Sequence, residues 1–214
     1  MQSSFWINKW ENQEIGFHLE KPHPLLEKYY ELIFQDHKSI LLPLCGKSKD
    51  LTYLAKRKFD VVGCELSPLA VGDFFSENSL QPLFCKLQQF NIYTYGNIKV
   101  MQGDFFEMES SIVSPCTAIY DRAALIALPP LMRRQYVTHL KNLLPEAEML
   151  LITLSYDQSC MDGPPFSVDE EEVGEIFDFA DVVRLYHKNI IEKELKFKQN
   201  GLSYLYETAY HIKW

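Results

Sequence analysis

Short runs of apolar residues recur along the chain at 40–44, 61–64, 98–101, 117–120 and 149–154, each separated from the next by a segment of helical or loop character. Runs of this length that are apolar throughout suit strands buried on both faces, so the pattern predicts parallel strands with helices over both sides of the sheet. The segments between them place helices at 24–34, 49–58, 68–78, 129–143 and 169–177. Three of these begin at or just after a proline or an Asp/Ser cap, where first-turn geometry favours those residues. The tail reads differently. At 182–191, 194–197 and 202–212 β-branched and aromatic residues alternate with polar ones around a Gln199-Asn200-Gly201 turn, which predicts antiparallel strands closing one edge. The longest loop signal, 157–167, carries Gly163-Pro164-Pro165, and neither a repeat nor a linker divides the chain. A single α/β domain over residues 1–214 is expected.

Charge narrows the choice of partners. Against 21 basic residues stand 29 acidic ones, a formal charge of −8. That is the wrong sign for a protein that draws its affinity from neutralising phosphates, so neither nucleic acid nor an anionic membrane is expected as a partner. The start, Met1-Gln2-Ser3-Ser4-Phe5-Trp6, has no basic region followed by an apolar run, and no stretch is long and apolar enough for a membrane span. A soluble, cytoplasmic protein is expected. The five cysteines, at 45, 64, 85, 116 and 160, are odd in number and form no C-x-x-C, which argues against a disulfide framework or a zinc knuckle. Cys64 and Cys116 lie in apolar runs and read as buried free thiols. The six histidines form no H-E-x-x-H or similar pair, so no metal is expected.

Open α/β sheets bind ligands beyond the carboxyl ends of their strands, which makes the residues just after each strand the informative ones. After the first comes Leu42-Pro43-Leu44-Cys45-Gly46-Lys47-Ser48, where one glycine lets backbone amides approach a ligand. It is not G-x-G-x-x-G, and Lys47-Ser48 lacks the upstream glycine of a phosphate loop, so Gly46 alone reads as a turn. The second strand ends in Glu65, 19 residues after Gly46, close to the offset at which an acidic residue accepts hydrogen bonds from a ribose diol. Asp104, in Gly103-Asp104-Phe105-Phe106, either holds an adenine edge or caps a helix. Together these favour an adenosine ligand without polyphosphate, which S-adenosylmethionine fits better than NAD or ATP. Arg122, at the end of the fourth strand, either pairs with Asp121 or another acid, or faces an anionic ligand group. Phe5, Trp6, Trp10 and Phe17 make the N-terminus aromatic; Trp6 reads as packing, while Trp10 and Phe17 are candidates for a wall over a sulfonium.

Several of these residues stand in longer motifs. Phe5-Trp6-x-x-x-Trp10, Ile15-Gly16-Phe17-His18, Pro43-Leu44-Cys45-Gly46-Lys47-Ser48, Val62-Gly63-Cys64-Glu65-Leu66-Ser67, Gly103-Asp104-Phe105-Phe106, Tyr120-Asp121-Arg122-Ala123-Ala124-Leu125 and Gly163-Pro164-Pro165-Phe166 follow one another in a fixed order. In that order the sequence resembles the bacterial thiopurine S-methyltransferases across its whole length. The resemblance implies a Rossmann-like class I methyltransferase fold, with a seven-stranded, mostly parallel sheet, an antiparallel last strand, and an N-terminal segment (1–34) covering the cofactor. It implies that Trp10, Leu44, Glu65, Asp104, Phe105 and Arg122 contact S-adenosylmethionine and its product S-adenosylhomocysteine, and Gly46, through its spacing from Glu65, is expected at the same ligand. It places Phe17 between cofactor and acceptor, and Pro165 and Phe166 over the acceptor. Lys196 stands where many relatives carry an arginine, a change from a planar fork to a point charge.

The activity implied is methyl transfer to the sulfur of aromatic or heterocyclic thiols, and to selenium or tellurium species, by a monomer acting on a small molecule. The rival is a cofactor-binding sensor or partner protein without turnover, against which the intact Phe17 and Gly163-to-Phe166 segments speak. No histidine stands out as a base; His18 reads as a turn or cap residue, so the thiol is expected to bind already ionised, compensated by Arg122 and, second, Lys196.

Overall fold

The computed structural model describes residues 3–113 and 115–214, and among them nine strands form one sheet. In chain order the elements are α1 (Ser3–Glu11), α2 (Pro24–Phe34), β1 (Ser39–Leu42), α3 (Lys49–Lys56), β2 (Asp60–Glu65), α4 (Pro68–Glu77), β3 (Leu83–Leu87), β4 (Phe90–Tyr95), β5 (Ile98–Gln102), α5 (Ser110–Val113), β6 (Ala118–Arg122), α6 (Pro130–Leu143), β7 (Glu148–Ser155), α7 (Glu170–Ile176), β8 (Asp181–Asn189), α8 (Leu195–Gln199) and β9 (Tyr206–Lys213). The apolar runs become five parallel strands, side by side as β5-β2-β1-β6-β7. Beyond β7 come β9, antiparallel to it, and β8, antiparallel to β9.

Alternate strand residues feed two cores. Leu41, Val62, Ile119 and Leu151 face α5, α6 and α7, while Ile40, Val61, Ala118 and Leu150 face α2, α3 and α4. With about 25 cal/mol for each Å² of apolar surface covered, this double-sided burial is what holds a parallel sheet. The helices start where their caps allow. Ser48 accepts the Asp50 N–H, Ser67 the Ala70 N–H and Asp169 the Glu172 N–H, and Pro24 and Pro68 occupy first-turn positions.

The sheet departs from the expected seven strands at one edge, where β3 and β4 add an antiparallel hairpin beside β5. Its turn is Gln88-Gln89, with Gln88 at φ +52°, and neither residue carries a turn signature. The tail departs too. Residues 194–197 belong to α8 and the loop before it, and 202–205 pack as an irregular segment around Leu202 and Leu205 before β9 begins. Glu-Leu-Lys-Phe-Lys alternates like a strand, but its members are also helix formers, and residues 195–199 form α8. Of the expected covering segment, residues 1 and 2 lie outside the described residues, α1 and the following loop stand over the sheet edge, and α2 belongs to the core.

Chain order reverses between β1 and β6, whose neighbours run to opposite sides of the sheet. The crevice beyond their carboxyl ends is where such sheets take ligands.

Candidate active site

A cavity of about 890 Å³ opens at that crevice, lined by the ends of β1, β2, β5 and β6, by the N-terminal segment, and by the tail. Of the residues expected at the cofactor and acceptor, all but Phe166 line it; Phe5 of the aromatic N-terminus does not. Phe166 instead ties down its loop: its N–H donates to the Ile126 carbonyl at 2.7 Å, and its ring packs over Gly163 and lies 5.7 Å from the Arg133 guanidinium. Phe166 therefore leaves the set of cavity-lining residues, while Pro165 stays in it, its carbonyl accepting the Tyr156 hydroxyl at 2.5 Å.

One half of the cavity is backbone. Leu44 (φ +48°) and Gly46 (φ +53°) turn the chain after β1, and Ala123 (φ +72°) turns it after β6. Glu65, buried at the end of β2, fixes the first of these turns by accepting the Gly46 N–H at 2.8 Å on one oxygen and the Ser67 N–H at 2.7 Å on the other. Burial raises its pKa, and those N–H donors pull the other way. A carboxylate has about four lone-pair sites, so each oxygen keeps capacity for a ligand hydroxyl. Asp121 fixes the second turn. Its Oδ1 accepts the N–H groups of Ala124 and Leu125, and its Oδ2 the Tyr136 hydroxyl, so it points away from Arg122. Asp104 caps the turn at Phe105–Glu107 by accepting the Phe106 N–H at 3.0 Å and also borders the cavity.

The N-terminal segment closes over this half. Trp10 is buried, and a Cβ on Gly46 would lie a tight 3.1 Å from its ring, at a backbone φ of +53° that favours glycine. Phe17 meets Trp10 and Trp6 edge-on, with ring centroids 5.5 and 5.8 Å away. Trp6 Nε1 is buried without a hydrogen-bond partner in the described residues. Arg122 Nη2 donates to the Phe17 carbonyl at 2.9 Å, and no carboxylate of the described residues pairs with it, unlike Arg133, Arg134 and Arg184.

The other half is side chain. Lys196 from α8 reaches across so that its Nζ would lie 3.2 Å from a Cβ on Gly16, next to Phe17. Tyr186, Glu194, Phe197 and Glu207 come from the tail and His23 from the start of α2. His18 lines the cavity as well; burial first, then the Lys47 charge, lower its pKa. Lys47 is bound to Glu77 at 2.6 Å and Asp73 at 3.5 Å.

A family model described as thiopurine S-methyltransferase (TPMT) matches residues 1–214. The chain belongs to the thiopurine S-methyltransferase family. Relatives named thiopurine S-methyltransferase include one from Pseudomonas fluorescens (strain Pf0-1), 44% identical with 100% of this chain and 99% of the relative covered. Another, from Azotobacter vinelandii (strain DJ / ATCC BAA-1303), is 40% identical at the same coverage. Among solved structures, a SAM-dependent methyltransferase from Anabaena variabilis ATCC 29413 superposes with a TM-score of 0.66 at 16% identity, covering 99% of this chain and 94% of the other. The 1,6-didemethyltoxoflavin-N1-methyltransferase of Burkholderia thailandensis, solved with S-adenosylhomocysteine, superposes at 0.60 with 13% identity, over 97% and 86% of the two chains. The fold is thus the Rossmann-like class I methyltransferase fold, and the protein is an S-adenosylmethionine-dependent methyltransferase.

The cavity of this thiopurine S-methyltransferase family member fits that cofactor. A glycine cradle under Trp10, spare acceptor sites on Glu65, and an orphan indole donor on Trp6 suit an adenosine ligand. Lys47, the nearest approach to a phosphate-loop lysine, is occupied by two carboxylates. Sequence reasoning missed Ala123, whose left-handed backbone no motif rule flags, and the His23–Glu207 pair, whose members lie 184 residues apart and lie 3.2 Å from one another.

Proposed function

We propose that this cavity holds S-adenosylmethionine and a small aromatic or heterocyclic thiol together, and that residues 1–214 act as one methyltransferase domain. Trp10, Leu44, Gly46, Glu65, Asp104, Phe105 and Arg122 hold the cofactor in this reading. Phe17, Pro165 and Lys196 border the acceptor. The observation that carries it is Arg122: a guanidinium inside a cavity, free of any carboxylate in the described residues, and hydrogen-bonded to the segment that separates the two halves. An unpaired cation in a partly desolvated place is costly unless a ligand anion answers it.

The cofactor supplies a methyl group on a positively charged sulfur. What the chain adds is alignment and exclusion of water. The edge-on aromatics Trp6, Trp10 and Phe17 form the wall, and Arg122 with Lys196 attracts a thiolate. Protein thiols do not compete as nucleophiles here, because burial pushes Cys45 and Cys64 well above the ordinary cysteine range. Burial, then the Lys47 charge, lower the pKa of His18 and so favour its uncharged form. The net charge of −8, and the absence of a helix long and apolar enough to cross a membrane among the described residues, favour a small cytoplasmic acceptor over nucleic acid or lipid.

Incubation with methyl-labelled S-adenosylmethionine and a panel of thiophenols, heterocyclic thiols, selenium oxyanions and tellurium oxyanions tests the reading. Label should pass to the aromatic thiols. A protein that binds S-adenosylhomocysteine but labels none of them overturns it.

A further inference from the structure

At the tail side of the cavity a chain of polar groups ends on a carboxylate. Tyr120 Oη donates to Asp50 Oδ2 at 3.1 Å, Asp50 Oδ1 accepts the His23 backbone N–H at 2.8 Å, and His23 Nε2 lies 3.2 Å from Glu207 Oε1. Tyr120, Asp50 and His23 are all buried. His23 Nδ1 accepts the Leu25 N–H at 3.2 Å, which puts the proton of the neutral ring on Nε2, facing Glu207. One oxygen of Glu207 therefore meets a fixed donor. Its Oε2 has no hydrogen-bond or ion-pair partner in the described residues, although the side chain is only 18% exposed.

No lysine or arginine of the described residues forms an ion pair with Glu207. Glu194 also lines the cavity, and burial followed by the Glu207 charge raises its pKa. Tyr186 is raised for the same two reasons in the same order. Lys188, opposite Glu207 in the strand register, makes no ion pair with it. A half-buried carboxylate beside another carboxylate is unfavourable unless a donor arrives with the ligand. The lining thus carries both kinds of charge, with Arg122 and Lys196 near Phe17, and Glu207, Glu194 and Lys193 on the tail.

We infer that Glu207, oriented by His23, is a specificity-determining hydrogen-bond acceptor that selects heterocyclic thiones, acceptors that present a ring N–H next to the carbon bearing sulfur. Such a molecule answers both kinds of group, with electron-rich sulfur toward Arg122 and Lys196 and the N–H toward the unpartnered Glu207 Oε2. The inference rests on the thiol-methylating reading above and names which thiols fit best within it.

His23 makes the test sharp. In Glu207→Gln the amide oxygen is drawn to the His23 Nε2–H, which leaves the amide NH2 toward the cavity, where donor meets donor. Binding of pyridine-2-thione, its N-methyl derivative and thiophenol is measured by calorimetry on the full chain saturated with S-adenosylhomocysteine. The wild type should prefer the N–H thione over the N-methyl compound by about tenfold or more, the range for a hydrogen bond to a charged group. Glu207→Gln should abolish that preference and leave thiophenol and S-adenosylhomocysteine affinities within about twofold. A wild type with no such preference, or no binding of the N–H thione, overturns the inference without recourse to any variant. So does a Glu207→Gln protein that keeps the preference. Because these are binding measurements, failure of the thiol-methylating reading shows separately, as absence of label transfer by the wild type.

Discussion

The half of the cavity proposed to hold the cofactor is made of backbone at strand ends, held by buried carboxylates, whereas the half proposed for the acceptor is made of side chains sent in from the N-terminal loop, α8 and β9. In the first half two non-glycine residues, Leu44 and Ala123, sit at positive φ, a strain of order 1–3 kcal/mol each. Glu65 and Asp121 hold those turns through buried hydrogen bonds that the surrounding sheet fixes. In the second half Lys196 is exposed, Glu194 is half-buried and Glu207 keeps one oxygen free. The difference teaches where rigidity and choice reside: a constant ligand is met by main chain, a variable one by replaceable side chains. Arg122 belongs to both halves, because it leaves the rigid strand β6 and holds the Phe17 carbonyl of the covering segment.

The largest effect should come from breaking the rigid half. Glu65→Ala removes both acceptors from the Gly46 and Ser67 N–H groups as well as the acceptor for a ribose, at roughly 1.5–3 kcal/mol for each charge-assisted bond. Calorimetry should show S-adenosylhomocysteine affinity falling about a hundredfold, with a lower melting temperature. Unchanged affinity in a folded variant would detach Glu65 from the cofactor.

The next effect tests the bridge between the halves. Arg122→Lys keeps the charge and loses the fork that reaches the Phe17 carbonyl, so turnover should fall about tenfold or more while cofactor binding falls less. Hydrogen exchange across residues 5–17 should slow in the wild type on adding S-adenosylhomocysteine and an acceptor analogue, and slow less in the variant. Equal protection with and without ligands would make this segment ordinary packing.

A smaller effect sharpens the account of the second turn. Burial raises the Asp121 pKa to about 6, against about 3.9 in an unfolded chain. Between those values the folded state binds more protons, so this residue makes the protein more stable as pH falls from about 7 toward 5. Asp121→Asn keeps an acceptor for the Ala124 and Leu125 N–H groups and should flatten that slope in urea titrations. A slope unchanged by the substitution would assign the pH dependence to another group.

The contrast between the halves also explains what could be read from the sequence. Parallel strands announce themselves as apolar runs because both faces are covered, and Gly46 and Glu65 lie at a spacing that physical chemistry explains. Helix ends were legible to within two residues through Ser48, Ser67, Pro24 and Pro68. The β3–β4 hairpin was not, because Gln88-Gln89 turns without glycine, asparagine or proline. Nor was the short helix α8, where alternation in Glu-Leu-Lys-Phe-Lys mimics a strand. Phe166 shares its motif with Pro165 but lies outside the cavity lining, its ring 5.7 Å from the Arg133 guanidinium, a placement no local pattern announces. His23 and Glu207 meet only through tertiary structure, and no local pattern carries that information.

The central claim is that the cavity binds thiophenol-type acceptors, which carry no ring N–H, already ionised against Arg122 and Lys196, and that His18 is not their base. The direct measurement is kcat/KM across a series of substituted thiophenols at one fixed pH below their pKa values, for the wild type and His18→Ala, with and without a chelator. The account predicts that kcat/KM rises as the thiol pKa falls, that His18→Ala retains transfer, and that the chelator changes nothing. A rate flat across the series, together with loss of transfer in His18→Ala while S-adenosylhomocysteine still binds, would contradict it.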